Sequence, residues 1–433
     1  MKRYFKPSAL ILISSIAYIW LAYGMESRTQ FPAFLACIGI CFLCYRLLLN
    51  HISGLSFRQI FVAGLFLRLI FIAATPLLSD DYFRYLWDGH LVTQGINPYN
   101  QTPTQVIVNQ GEIASQWLNG MNSSSYYSIY PPLVQFAFAF SSLGIPGGTQ
   151  GCLILLHLLV IGAEALTMAL LAFNLREAEL PVSKIAWYAF NPLVIVELAG
   201  NVHTEAFLIP FLLATLLFLK KSKIRLGAVF FGLAIAVKLW PLILLPFMWF
   251  HLGARKGSGF TFISIVISLL SFAPMVNPEL LFKMSHSVDL YFRHFEFNAS
   301  VYYMIREVTM ARLGHHVIHW LGPLMAVACL LAVVTFGWSQ RAFKGTSHVW
   351  MNTLMIYLML ALVVHPWYIT PMVALSVFTG TRTPLVWSGV VILSYHTYAS
   401  IPYRENLWVT AGSYAIVLAF FLWERRALRA LPT

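Results

Sequence analysis

The stretch SDDYFRYLWDGHLVTQGINPYN, residues 79–100, holds three of the four aspartates in a chain of 433 residues. Asp80, Asp81 and Asp88 fall within nine residues of one another. A positioned carboxylate can take the proton of an attacking hydroxyl as a general base. In a helix, Asp81, Tyr85 and Asp88 stand at i, i+4 and i+7 and share one face. Asp80 reaches Arg84 at i+4. Gly95-Ile96-Asn97-Pro98-Tyr99 is a turn that stops the helix. An aromatic, polar, carboxylate-bearing surface of this kind suits a sugar. The structural alternative is that Ser79 caps the helix, with Asp80 and Asp81 as first-turn acids favoured by its dipole. A single acid satisfies that dipole, so the alternative leaves the clustering unexplained.

Further ionisable residues lie in apolar surroundings, where charge is costly and marks function by default. Lys238, in AIAVKLWPLILLP beside Pro241, is either a lysine snorkelling to an interface or a cation for a lipid phosphate. The segment NPLVIVELAGNVHTEAFLIP carries Glu197, Asn201, His203 and Glu205 near a span boundary. They serve hydrogen-bonded helix packing or a direct role. His203 and Glu205 alone cannot complete a metal site. In VVHPWYITP, an interfacial aromatic belt explains Trp367 and Tyr368. His365 is left over to bind a phosphate or a hydroxyl. FEFNASVYYMIREV offers Asn298, Tyr302, Tyr303 and Arg306, as loop packing or as ligands. IYPPLVQF is a rigid entry to the membrane, and the sequons at Asn100, Asn122 and Asn298 carry little weight. There is no P-loop, dinucleotide fingerprint, zinc helix or nucleophile elbow, so no cofactor and no metal are expected.

The elements that must hold these residues are membrane helices. Hydrophobic residues make up 59% of the chain and charged residues 10%, against roughly 25% charged in soluble domains. Mean hydropathy is +0.73. Apolar runs near the ~20 residues of a span recur at 8–24, 31–50, 60–78, 150–174, 185–200, 203–220, 226–250, 259–276, 318–338, 348–364, 366–380, 385–400 and 407–424. The fold class is all-α, a polytopic bundle of about 12–14 spans, with no soluble domain left over. The first run has no small-residue cleavage site and reads as an uncleaved helix. All five cysteines sit in apolar runs and read as packing residues.

Net charge is +12. The positive-inside rule accounts for it without nucleic acid. Lys2/Arg3/Lys6, Lys220/Lys221/Lys223/Arg225, Arg255/Lys256, Arg341/Lys344 and Arg425/Arg426/Arg429 mark cytoplasmic edges. Counting spans from either end places 79–130 and 277–317 together on the outer face. The segments 131–146 and 226–250 either both span or both fold back. Basic residues at both ends of 226–250 favour folding back; its length, about 37 Å at ~1.5 Å per residue, favours spanning.

In order along the chain, DDYFRYLWDGHLVTQGINPY, YPPL, GNVHTEA, KKSKIRLGAVFFGLAIAVKLWPL and HPWY resemble motifs of the GT-C superfamily of integral-membrane glycosyltransferases. That superfamily uses polyprenyl-phosphate-linked sugars. The likeness covers roughly residues 60–370. It is to the polyprenol-phosphate-mannose-dependent mannosyltransferases, of glycosyltransferase family 87 and of the GPI mannosyltransferase I type. The GPI pattern is D-x-D. Here Ser79 holds the first acid position, which argues against a metal-dependent site and against the same acceptor.

The resemblance implies one glycosyltransferase-like domain over 1–433, with 79–130 as catalytic loop and 277–317 as second external loop. It implies an inverting transfer of a hexose from a polyprenyl-phosphate donor to a lipid or glycan acceptor. The sugar, mannose, is read from the resemblance alone. The reaction would face outward from a bacterial plasma membrane, among membrane lipids. Asp81 matches the family's base, with Asp80 second. Lys238, Arg306 and His365 would stabilise the leaving phosphate. Tyr85, Trp87 and Asn97 would line the sugar pocket. Arg84, Asp88, Tyr99, His203, Glu205 and Asn298 complete the expected binding set. Two rivals stand: a transporter or flippase of lipid-linked sugars, which predicts an inverted repeat, and a non-catalytic subunit of a glycan-assembly complex.

Overall fold

The computed structural model describes residues 6–107, 110–343 and 345–429. Lys2, Arg3 and Lys344 of the basic clusters lie outside the described residues. The fold is all-helical. Among the described residues, the one strand-like pairing is an isolated bridge between Phe297 and Val363.

Among the described residues, six helices are long and apolar enough to cross a membrane. They are Pro7–Gly24, Phe31–Leu48, Pro132–Glu177, Ala254–Met275, Ile318–Ser339 and Leu407–Ala427. Their outer faces carry exposed apolar side chains such as Leu12, Phe262 and Leu331, as lipid contact requires. A bent pair, Val182–Ala189 and Pro192–Gly200, meets at 57° and adds a seventh if counted as one span.

Several expected spans are therefore shorter or broken. The causes are local. Asn191, His365 and Arg382 or Thr383 each precede or begin a segment whose first residues include proline, which lacks an N–H and ends the preceding helix. The run 226–250 divides at Lys238, which is extended at φ −156°, ψ 139°. Helix Ile224–Val237 ends there, and a 3₁₀ turn, Trp240–Leu244, starts the next limb. Within the long apolar stretch Pro132–Glu177, the run 131–146 turns at Ser142–Gly147 onto the helix that follows it. Gly148 is at φ 67°, and the backbones of Gly144 and Gly151 touch so closely that a Cβ on Gly144 would lie 2.3 Å from the Gly151 carbonyl carbon. That turn packs Pro132–Ser141 against both the following long helix and the acidic helix Asp81–Thr93.

The acidic helix starts one residue later than the capping argument predicts. Asp80 occupies the N-cap position without a side-chain cap. Ser79 Oγ instead accepts the Asp81 N–H at 3.3 Å. The helix then buries most of its length, including Tyr85, Leu86, Trp87, Asp88 and Gly89. Gly89 is where it crosses Pro132–Ser141. A Cβ there would stand 2.1 Å from the Phe138 carbonyl oxygen. Gly89→Ala should push the two helices apart at a cost of about 1–3 kcal/mol. A lowered melting temperature of the detergent-solubilised protein checks this, and an unchanged one shows that the crossing is not tight.

The loops expected on the outer face converge. Arg28 reaches Asp80 at 2.6 Å. Asn97 Nδ2 donates to the Met275 carbonyl at 2.6 Å. The Asn298 N–H donates to Glu405, and Asn298 Nδ2 donates to the Val364 carbonyl at 3.1 Å. At the opposite end, Glu424 accepts from the backbone N–H groups of Arg382 and Thr383, and His251 contacts the Arg341 carbonyl.

Candidate active site

The converging loops enclose a cavity of about 830 Å³. Its polar lining includes Arg28, Asp80, Asp81, Arg84, Tyr85 and Lys238. One flank carries Asn122, Ser123, Tyr126 and Tyr127 from the first loop. The rest of the lining is largely an apolar wall. Met325, Ala326, Cys329, Leu330 and Val333 come from Ile318–Ser339, and Leu354 and Leu358 from Thr346–Leu360.

The two adjacent aspartates are treated differently. Asp80 is taken by Arg28, whose guanidinium also lies 4.8 Å from the Tyr398 ring and 5.2 Å from that of Tyr403. The expected Asp80–Arg84 pair is replaced by this one, because Asp80 precedes the helix and points away from it. Asp81 keeps a 27% exposed side chain at the cavity. Burial pushes its carboxyl up to about 6. Lys238 and a hydrogen bond from Tyr85 oppose that rise, while Asp80 and Glu205 add to it. A base poised there is half ionised near pH 6 and ionised at neutral pH.

Lys238 lies in the helix break, 24% exposed and paired with the buried carboxylate of Glu205. Its ammonium also stands 4.7 Å from the Tyr368 ring. An ammonium has three donors, so the Glu205 bond leaves capacity for a ligand oxygen. His365 lines the cavity and stacks on Trp367 at 4.2 Å and Phe297 at 5.0 Å. Burial and Lys238 push its imidazole down to about 3. It can therefore offer a neutral hydrogen bond to a phosphate or a hydroxyl.

Other expected ligands are engaged elsewhere. Asp88 is fully buried, with Oδ1 accepting from Arg84 Nε at 2.7 Å and Oδ2 from Ser128 at 2.5 Å and Gln135 at 3.1 Å. Arg84 lines the cavity but also donates to the Ser123 and Tyr126 carbonyls. This pair therefore ties the acidic helix to the 122–130 loop. Trp87 is fully buried behind it. Asn97 and Tyr99 brace the turn, with the Tyr99 hydroxyl donating to the Tyr130 carbonyl at 2.5 Å. Arg306 pairs with Glu296 and Glu307, and Asn298 is buried at 3% among its loop contacts. None of Asp88, Trp87, Asn97, Tyr99, Asn298 or Arg306 lines the cavity. Except for Trp87, whose buried indole N–H has no partner, their polarity serves loop packing, since a buried polar group must find partners. His203 and Glu205, almost fully buried, stand one layer behind the cavity.

Sequence reasoning missed Arg28, Tyr395, Tyr398 and the apolar wall. Arg28 had a readable signal, as the one cation in the short polar link 25–30. The wall had none, because its residues are ordinary span residues.

A family model for alpha-(1->6)-mannopyranosyltransferase, N-terminal domain, matches residues 7–254, more than half of the chain. The chain belongs to the alpha-(1->6)-mannopyranosyltransferase family. Alpha-(1->6)-mannopyranosyltransferase A of Mycobacterium tuberculosis is 24% identical over 259 residues, 57% of this chain and 48% of that protein. The Corynebacterium glutamicum proteins A and B are each 24% identical, over 44% and 50% of this chain and 38% and 34% of their own lengths. The chain thus matches about half or less of each relative. The region matched by the family model holds Asp80, Asp81, His203, Glu205 and Lys238. His365, Trp367 and the apolar wall lie beyond it.

Asp88→Ala in this family member leaves the Arg84 guanidinium buried without its carboxylate. Loss of one partner from a buried pair costs about 3–5 kcal/mol. The expected result is a lower melting temperature together with faster proteolysis within 122–130; a wild-type melting curve would show that the pair is not what ties the loop.

Proposed function

We propose that the protein is an inverting glycosyltransferase that moves mannose from a polyprenyl-phosphate donor to an acceptor hydroxyl at the outer membrane face. The observation that carries this reading is the mixed lining of the cavity. Its lining combines a carboxylate and a lysine with an apolar wall of membrane helices. A lipid-linked sugar phosphate has a polar and an apolar part. The relatives' names support mannose and an acceptor oxygen at carbon 6 of a sugar. The outer-face orientation rests on the positive-inside rule and on the convergence of the loops it assigns to that face.

In this mechanism Asp81 removes the acceptor proton. The acceptor oxygen attacks the anomeric carbon. The bond to the phosphate oxygen breaks, and the lipid phosphate leaves with the electron pair. An alpha product by inversion requires a beta-linked donor. Lys238, held by Glu205, offers its remaining donors to the developing phosphate charge. His365 contributes a neutral hydrogen bond. Asp80 is excluded from the base role by Arg28.

The test uses purified protein in lipid, labelled polyprenyl-phosphate mannose and an alpha-mannoside acceptor. Asp81→Asn should lower transfer by about 10²–10⁴-fold. Wild-type kcat/KM should fall below pH 6, where Asp81 takes up its proton. Stability should move the other way. A carboxyl raised from 3.8 to about 6 on folding loses stability as the pH climbs through that window, because the folded state binds the proton more tightly. Asp81→Asn should therefore keep or raise the melting temperature at neutral pH. Equal transfer by mutant and wild type would overturn the base assignment.

A further inference from the structure

Behind Asp81 lies a buried dyad that the reaction as written does not use. His203 Nδ1 is 4.0 Å from Asp81 Oδ2, and its Nε2 is 3.4 Å from Glu197 Oε2. Both ring nitrogens are buried without a hydrogen-bond partner. Such a group requires an explanation. The local backbone is unusual at this point. Glu197 sits on a π-helical turn, Ile195–Gly200. Val202 adopts φ 53°, a left-handed conformation that is strained for a β-branched residue. Features of both kinds gather at functional sites.

The dyad is braced on every side. Trp367 stacks on the His203 ring at 3.6 Å and 20°. Glu197 accepts from the Tyr395 hydroxyl at 2.7 Å and from Asn201 Nδ2 at 3.3 Å. Asn201 Oδ1 accepts the N–H of Leu78, just ahead of the aspartates. One asparagine thus ties the dyad to the acidic turn.

The tautomer taken here carries its proton on Nε2, the nitrogen with the shorter carboxylate contact, and its lone pair on Nδ1. An N–H facing a carboxylate closes to about 2.7–2.9 Å. Nδ1 stands well back from Asp81, as a lone pair would. Nε2 is nearer its own carboxylate, and such contacts tighten in the working complex.

Resting on the reading of Asp81 as base, we propose that His203, pinned by Glu197, is a positioning residue that receives the captured proton's hydrogen bond. When the acceptor O–H bond breaks, an O–H bond forms on Asp81. The protonated carboxyl then donates to His203 Nδ1. The unprotonated carboxylate cannot. His203 thereby favours the protonated form of the base and draws the acceptor proton onto it. The proton leaves from Asp81, to cavity water or the departing phosphate, before the next turnover.

The other groups that act on Asp81 are Asp80 and Tyr85 on its own segment, Glu205, Lys238, and Tyr395 and Tyr398. None of these changes in His203→Phe, which also keeps a ring to stack on Trp367.

The experiment measures the kcat/KM pH profile of the full chain in lipid, with polyprenyl-phosphate mannose and an alpha-mannoside. His203→Phe should lower kcat at least about tenfold. The acid limb should move down by about one pH unit, the size of one net hydrogen bond. Donor KM should hold. His203→Asn, whose amide oxygen can take the place of Nδ1, should restore the limb. An unchanged limb and kcat in folded His203→Phe overturns the proposal. So does an upward shift, which would make His203 a donor to the carboxylate. If His203→Phe does not fold, His203→Asn and His203→Gln decide. The asparagine should hold the limb and the glutamine, which reaches toward Glu197, should move it; equal limbs overturn the proposal. Full transfer by Asp81→Asn removes the base reading as well, whereas a dead Asp81→Asn beside a normal His203→Phe removes this inference alone.

Discussion

Helical backbone broken at membrane depth exposes N–H and C=O groups that lipid cannot satisfy, so a break survives only against protein or a wet cavity. This constraint organises the molecule. The segment after Gly200, the extended residue Lys238 and the link before Pro366 are all breaks, and all border the same site. They carry His203, Lys238 and His365. The residues suited to chemistry are therefore delivered by the irregular backbone, while the long regular helices face lipid and hold the breaks in place.

The same low dielectric governs the charges. Buried ions must be paired or lose their charge. Arg68 meets Glu164, Arg84 meets Asp88, Arg28 meets Asp80 and Lys238 meets Glu205. Asp81 differs. It faces a histidine at 4.0 Å and a cavity, and burial has raised its proton affinity. It is the carboxylate left partly unsatisfied within a paired network. The pairs around it are structural, but they decide which of two adjacent aspartates is available.

The site is shared between two parts of the chain. The family match supplies the acidic helix, the His203 turn and Lys238. The portion beyond it supplies the aromatic column of Phe297, His365 and Trp367, and the apolar wall. The titratable and the apolar parts of the lining are thus contributed by different segments that meet at one cavity. The stacking of Trp367 on both His203 and His365 is the physical joint between them.

Composition and hydropathy alone established an all-helical membrane protein, because apolar length and scarce charge leave no other class. The clustering of aspartates and the order of motifs pointed to the helix and to the lysine that line the cavity. Neither could separate the two aspartates, since Arg28 lies 52 residues upstream of Asp80 and the pairing is a contact in space. Spacing on one helix face suggested that Asp88 and Asp81 act together. Packing against Ser128 and Gln135 instead made Asp88 a buried anchor. The extent of each span was likewise not readable, because proline and asparagine mark where a helix can break, and only the packing around the break decides whether it does. His203 and Glu197 read only as two of four polar residues near a span boundary. Their placement behind Asp81 arose from a π-helical turn and a strained valine, features that residue types do not announce.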